Sequence, residues 1–123
     1  MMPQPFKLII AGGRSYADRD TMVREVNKVW AEALPNRALI VISGMARGAD
    51  SMAHSIAVSS GVAVQKFPAD WDKFGKSAGY RRNVQMAEIA DGLLAFWDGK
   101  SRGTKHMIDI ATERGLFVRV ITY

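Results

Sequence analysis

The sequence predicts an α/β fold: a single three-layer domain over residues 1–123, with a five-stranded, mainly parallel sheet and helices on both faces. Three observations predict it. Five short apolar runs, at residues 6–11, 38–42, 61–67, 92–97 and 117–122, have the length of strands, several of them rich in β-branched residues. Stretches with the helical spacing of apolar residues separate them, with no repeat, low-complexity tract or linker. The loops that follow the first four runs are glycine-rich or polar, whereas those that precede runs two to five are short. The right-handed crossover rule turns this alternation into a parallel sheet covered on both sides.

Phe6 to Ala11 is the first strand and ends in the loop Gly12-Gly13-Arg14-Ser15-Tyr16. Asp18 or Asp20 is placed to cap a first helix, because a short carboxylate accepts from the free N–H groups of an opening turn. Val23, Val26, Val29, Trp30 and Ala33 share one stripe of that helix, and Pro35-Asn36 ends it. Ala38 to Ile42 is the second strand, apolar enough to be buried on both faces. The turn Ser43 to Asp50 joins it to a second helix, Ser51 to Ser60, which stops at Gly61. Gly61 to Phe67 is the third strand, closed by Pro68, which has no N–H to donate. A polar stretch, Ala69 to Gly79, leads to a third helix that Arg81-Arg82-Asn83 opens and that turns Val84, Met86, Ala87 and Ala90 to the core. Gly92 to Trp97 is the fourth strand, and the loop Asp98 to Thr104 follows it. A last helix, Thr104 to Arg114, stops at Gly115 before the fifth strand, Phe117 to Thr122.

Composition bounds the chemistry. With 48% apolar and 24% charged residues, 123 residues suffice for a core without staples. The absence of cysteine excludes disulfides, thiolate chemistry and cysteine-ligated zinc, and the two imidazoles, His54 and His106, are far apart, so no metal site is expected. His54 reads as a packed helix residue, and no cofactor is assigned. No apolar run approaches the roughly 20 residues that span a bilayer. The opening Met-Met-Pro-Gln-Pro-Phe-Lys lacks a signal-peptide core, so a cytoplasmic protein without a membrane partner is expected. An excess of 17 Lys and Arg over 12 Asp and Glu leaves a net charge of +5, which favours anionic partners, nucleotides or nucleic acid.

Ligands of parallel sheets bind beyond the carboxyl ends of the strands. The loops at 12–16, 43–50, 68–79 and 98–104 all gather there. In the second of these, Ser43, Gly44 and Gly48 allow bare backbone N–H groups to face an anion at a helix start, Arg47 adds a forked cation, and Asp50 closes the turn. Gly12 and Gly13 permit close approach to a ligand, and Arg14 can reach its charge. Ser101, Gly103 and Thr104, with Arg102 among them, repeat the anion-site logic at the last helix. A tight turn or an unliganded cap explains each feature singly; two such helix starts on one edge favour a ligand. Among Trp71, Phe74, Tyr80 and Trp97, Trp71 is the foremost candidate to stack on a base, since it lies outside any strand. Asp70, Asp72 and Asp98 are candidate acceptors for sugar hydroxyls, or general bases. Arg81, Arg82 and Asn83 open a helix whose dipole disfavours cations there, which points the arginines at an anionic ligand. Gly75-Lys76-Ser77 and Gly99-Lys100-Ser101 mimic the end of a Walker A loop, but the required earlier glycines fall at Asp70 and Leu94, so a P-loop is rejected. The dinucleotide fingerprint Gly-x-Gly-x-x-Gly is absent as well.

These residues carry a family resemblance. Ser43-Gly44-Met45-Ala46-Arg47-Gly48-Ala49-Asp50, with Ala53, His54 and Ala57 beyond, resembles the Ser-Gly-Leu-Ala-Arg-Gly-Ile-Asp…Ala-His pattern of the DprA (Smf) family, and Arg82-Asn83 its Arg-Asn element. Arg82 with Met86, then Ala90-Asp91, is similar to an element of the LOG phosphoribohydrolases. Both are SLOG-superfamily proteins. Ala11-Gly12-Gly13-Arg14, residues 43–50, Phe67-Pro68-Ala69-Asp70-Trp71 with Gly75, and Phe96 to Thr104 together resemble the small YspA, YpsA-related branch along essentially the whole chain. The resemblance implies a Rossmann-like domain that binds a nucleotide or nucleotide-derived molecule in this loop cluster as a sensor, scavenger or carrier, in a protein that forms homo-oligomers. The phosphate falls to the turns at 43–50 and 101–104 with Arg14, Arg47 and Arg82, and the sugar and base to Asp70 and Trp71. LOG-like N-glycosidic hydrolysis, with Arg82 as the catalytic arginine, is the alternative; the family's glutamate falls at Met107. DprA-like binding of single-stranded nucleic acid is the second alternative.

Overall fold

The computed structural model describes residues 4–33 and 37–123. Its elements are β1 (Phe6–Gly12), α1 (Arg19–Ala33), β2 (Leu39–Ser43), α2 (Ala49–Ser59), β3 (Ala63–Lys66), α3 (Trp71–Phe74), a 3-10 turn (Gly75–Ser77), α4 (Ala78–Ile89), β4 (Gly92–Trp97), α5 (Arg102–Glu113) and β5 (Phe117–Thr122). The sheet is parallel throughout, in the order β3-β2-β1-β4-β5. It is a Rossmann-like α/β fold.

Alternation along β1 builds two cores. Leu8 and Ile10 face one side, where they join Leu94, Phe96, Val41 and Tyr16 beneath Met22 and Val29 of α1 and Ala53 and Ala57 of α2. Ile9 and Ala11 face the other side with Ile42, Leu93 and Ala95, under Met86 and Ala87 of α4 and Met107 and Ala111 of α5. Leu8, Ile9, Leu93 and Leu94 are fully buried, and each such side chain contributes about 1.5–3 kcal/mol. The loop after β1 turns towards α1 on one face, and the loop after β4 turns towards α5 on the other. Neighbouring strands whose connections diverge in this way open a crevice between them.

The structure decides between two expected caps and moves the starts of three helices. Asp18, rather than Asp20, caps α1: its carboxylate accepts from the Thr21 N–H at 3.1 Å and the Thr21 hydroxyl at 2.6 Å. α2 starts at Ala49, because Gly48 adopts φ 77° as its N-cap. α4 starts at Ala78, so Arg81 and Arg82 lie within the helix and do not open it. α5 starts at Arg102, two residues before the expected Thr104, because Ser101 is its N-cap. The stretch read as a polar loop before α4 holds α3, which Asp70 caps by accepting from the Lys73 N–H at 3.1 Å, and the 3-10 turn. Pro35, Asn36, the side chain of Ala33 and the first three residues lie outside the described residues.

Candidate functional site

A cavity of about 340 Å³ opens at the carboxyl ends of β1 and β4. Gly12 and Arg14 reach it from the end of β1, Asp50 from α2, Arg82 and Asn83 from α4, and Ser101, Gly103 and Thr104 from the start of α5. Trp71 and Lys76 come from the segment before α4. A second cavity of about 300 Å³ shares Arg14, Ala46, Trp71 and Arg82 with it and adds Gly44 and Arg47. Trp71 is 52% exposed, so its ring is free at the rim of both.

Arg82 organises the junction. Its Nη1 donates to the Gly44 carbonyl at 2.5 Å, and its Nε donates to the Asn83 Oδ1 at 3.2 Å. Asn83 is buried and ties α4 to α5: its Nδ2 donates to the Gly103 carbonyl at 3.2 Å and lies 3.1 Å from the His106 Nδ1. The amide donor fixes that ring nitrogen as the acceptor. Burial holds the His106 imidazole below its ordinary range, ahead of the opposing pull of Asp109 and Glu113. The neutral ring that accepts from Asn83 is thereby favoured.

The turn between β2 and α2 is held by its own polar groups. The Ser43 hydroxyl donates to the Asp50 carbonyl at 3.3 Å and accepts from the Met45 N–H at 3.1 Å. Asp50 Oδ2 accepts from the Ala46 N–H at 3.3 Å, and the Gly12 N–H also supports this carboxylate. The Ala49 N–H donates to the Gly13 carbonyl at 3.2 Å. The expectation of a bare N–H cradle is corrected to this extent: the N–H groups of Met45, Ala46 and Ala49 are spent inside the protein. Gly48 packs so closely on Gly13 and Arg14 that a Cβ there would overlap their backbone. Met45, which no sequence signal singled out, takes a left-handed φ of 60°, a strained position for a side chain outside glycine.

Gly44 separates Arg82 from Asp50: a Cβ on it would lie 2.5 Å from the Arg82 Nη1 and 2.9 Å from the Asp50 Oδ2. The two charges attract without a direct ion pair. Desolvation outweighs this attraction on both sides. It pushes the Asp50 carboxyl up to about 6 against the pull of Arg82 and two backbone N–H groups. It also lowers Arg82, which nonetheless stays charged, as guanidinium does throughout the accessible pH range.

The remaining expected residues stand apart from the cavity. Ser43 and Gly13 are buried structural partners of the turn. Asp70 is taken up by its cap on α3. Asp98 accepts from the N–H groups of Lys100 and Ser101, both at 2.8 Å, and these bonds hold its carboxyl below the usual range, against its use as a general base. Trp97 donates from Nε1 to the Ser101 carbonyl at 3.1 Å, and so supports the loop instead of facing a ligand. Phe74 lies under Arg81, its centroid 4.5 Å from the guanidinium carbon. Lys76, although seen within the false Walker pattern, and Tyr80, already noted as an aromatic at this edge, both line the cavity. Met107 lines it too, and is buried. Among the described residues no cluster of three or more His, Asp or Glu could hold a metal, and no helix is long and apolar enough to cross a membrane.

Fold and site together define a Rossmann-like domain with a cationic, aromatic-rimmed cleft at its switch point. The match to a family model over residues 6–74 refines that class: the chain belongs to the YspA, cpYpsA-related SLOG family. The Gene 61 protein of Mycobacterium phage D29 is 35% identical over 122 residues, a span covering 89% of this chain and 91% of that protein. DNA processing protein A (DprA) from Streptococcus pneumoniae has the same fold, with a TM-score of 0.73 at 20% identity. That similarity covers 97% of this chain and 51% of the DprA chain, so the present chain spans about half of its length.

Proposed function

We propose that this protein binds a nucleotide or nucleotide-derived small molecule in the cleft between the ends of β1 and β4. The observation that carries the reading is the convergence of Arg14, Lys76 and Arg82 with the start of α5 in one cavity, with Trp71 and Tyr80 on its wall. Three cations against the single carboxylate of Asp50 leave the cleft positive. At the opening of α5 the Ser101 and Thr104 N–H groups are taken by Asp98 and the Ser101 hydroxyl, which corrects the expected anion cradle there and leaves the N–H groups of Arg102 and Gly103 to add oriented dipoles. The rings provide an apolar surface for a base. A volume of about 340 Å³ lies at the lower end of the roughly 300–1,000 Å³ common for ligand sites, which suits a mononucleotide better than a dinucleotide. The reading stops at binding: Met107 presents a thioether where LOG-type hydrolysis needs a glutamate, and Asp50 is engaged by the N–H groups of Ala46 and Gly12.

Thermal unfolding with a panel of nucleoside monophosphates and nucleotide sugars tests it. A ligand at a hundred times its Kd stabilises by about 2.7 kcal/mol, a rise in Tm of several degrees for a domain of this size. Arg82→Gln is expected to remove the shift. No shift with any member of the panel at millimolar concentration refutes the proposal. Single-stranded nucleic acid is the competing ligand, and it predicts oligonucleotide binding that weakens steeply with salt.

A further inference from the structure

The two edges of the sheet are not alike. β3 is an edge of four residues, Ala63–Lys66, that ends in a lysine and runs towards Pro68, the features by which edges avoid other strands. β5 is six residues long, Phe117–Thr122, and its one charged side chain, Arg119, is engaged by Glu32 of α1. Val120 is 36% exposed, and Phe117, Val118 and Ile121 are only half-buried. The backbone phase of β5 follows from its ends. The Phe117 N–H donates to the Asp91 carbonyl and the Tyr123 N–H to the Trp97 carbonyl, both at 3.1 Å. In a parallel strand alternate residues bond the same neighbour, so Phe117, Arg119, Ile121 and Tyr123 turn to β4. Val118, Val120 and Thr122 therefore direct their N–H and C=O groups outward, along an edge that no element among the described residues covers.

We infer that β5 is a homodimer edge, on which two copies of this chain pair antiparallel about a two-fold axis at Val120 and join their two five-stranded sheets into one. The outward residues select this register. With Val120 opposite Val120, Val118 meets Thr122, so every outward-facing residue of β5 finds an outward-facing partner. On the alternate positions Phe117 comes opposite Tyr123, an aromatic cross-strand pair, and Arg119 comes opposite Ile121. A slip of one pleat-preserving step sets Arg119 against Arg119 and leaves Thr122 without an outward partner in β5. Like charges directly opposite are destabilising, so the first register is favoured. A two-fold interface of this kind is self-complementary and closed, and it removes the exposed edge without forming a fibre.

Sedimentation equilibrium of the full chain, with three substitutions, tests the pairing. The wild type is expected at twice 13.6 kDa. Val120→Pro removes an N–H that β4 does not use, so the monomer keeps its internal hydrogen bonds. The dimer dissociation constant is expected to rise at least about tenfold, the loss of a net hydrogen bond from each copy. Val120→Lys, at a partly exposed side chain, places two ammonium groups together on the axis and is expected to do the same; circular dichroism checks that both variants fold. Because the chain has no cysteine, Val120→Cys provides a single thiol that oxidises to a linked dimer only when the Val120 positions meet. A monomeric wild type overturns the inference. So does a dimer insensitive to both Val120→Pro and Val120→Lys in folded protein, or one that Arg119→Cys cross-links and Val120→Cys does not.

Discussion

Replacing Asp50 with asparagine removes a buried negative charge and keeps an acceptor for the Ala46 N–H. In the folded chain burial pushes the carboxyl from 3.8 to about 6. Between these values the folded state holds a proton that the unfolded state has released. The unfolded chain therefore binds fewer protons there, and stability falls as pH rises from about 4 to about 6. A shift of about two pKa units corresponds to about 3 kcal/mol lost across that window. Asp50→Asn has no such proton to lose. Urea unfolding of both proteins at intervals from acid to neutral pH should show equal stabilities at the acid end of the window. The variant should become the more stable by up to about 3 kcal/mol above pH 6. Asp18 and Asp98, whose carboxyls are lowered, titrate in both proteins and cancel in the difference. A difference that does not change with pH, or a variant that is the less stable one at neutral pH, would refute the assignment of this cost to Asp50.

Gly44→Ala should force the Arg82 guanidinium away from the Gly44 carbonyl, because the new Cβ lies 2.5 Å from Nη1. The expected loss is about 1.5–3 kcal/mol by urea unfolding, the worth of a hydrogen bond to a charged group, together with any nucleotide-induced thermal shift. Asn83→Ala removes the bonds to the Gly103 carbonyl and His106 and releases Arg82, so α5 should loosen at its start; faster amide exchange at Thr104 and Lys105, whose N–H groups bond Ser101, with β1 unchanged, is the signature. Gly48→Ala meets both an unfavourable φ of 77° and the backbone of Gly13 and Arg14, and should cost more than the roughly 1–2 kcal/mol of the left-handed conformation alone.

The strands were readable because β1, β2 and β4 are nearly continuous apolar runs, and only a two-sided parallel sheet buries such runs. The edge of the cleft was readable for a related reason: glycine and hydroxyl residues collect after strands β1, β2 and β4 and not before them. What the sequence concealed was how polar groups pair. Asp98 and Asp70 look like ligand acceptors in the chain, yet each serves N–H groups two or three residues away, a local competition that composition does not reveal. Asp50 and Arg82 are 32 positions apart, and nothing local to either says that Gly44 will hold them side by side. α3 escaped notice because a single four-residue turn has no periodicity to detect. Met22 is fully buried in α1 although it lies beside the valine stripe, in which Val29 is buried and Val23 and Val26 are only partly covered.

The strand order has a consequence for synthesis. β1 is made first but lies at the centre, and its second neighbour, β4, begins at Gly92. The Lys7 N–H donates to the Asp91 carboxylate across 84 residues, and this contact completes the pairing of β1 on that side. A nascent chain that has emerged only as far as Phe74 holds every residue of the family match at 6–74, yet displays one bare, apolar edge of β1. It also lacks Arg82, Asn83 and the whole of α5. The matched stretch is thus not itself a folding unit, and β1, the first of the five strands to be made, is kept from its full native pairing until β4 has followed it.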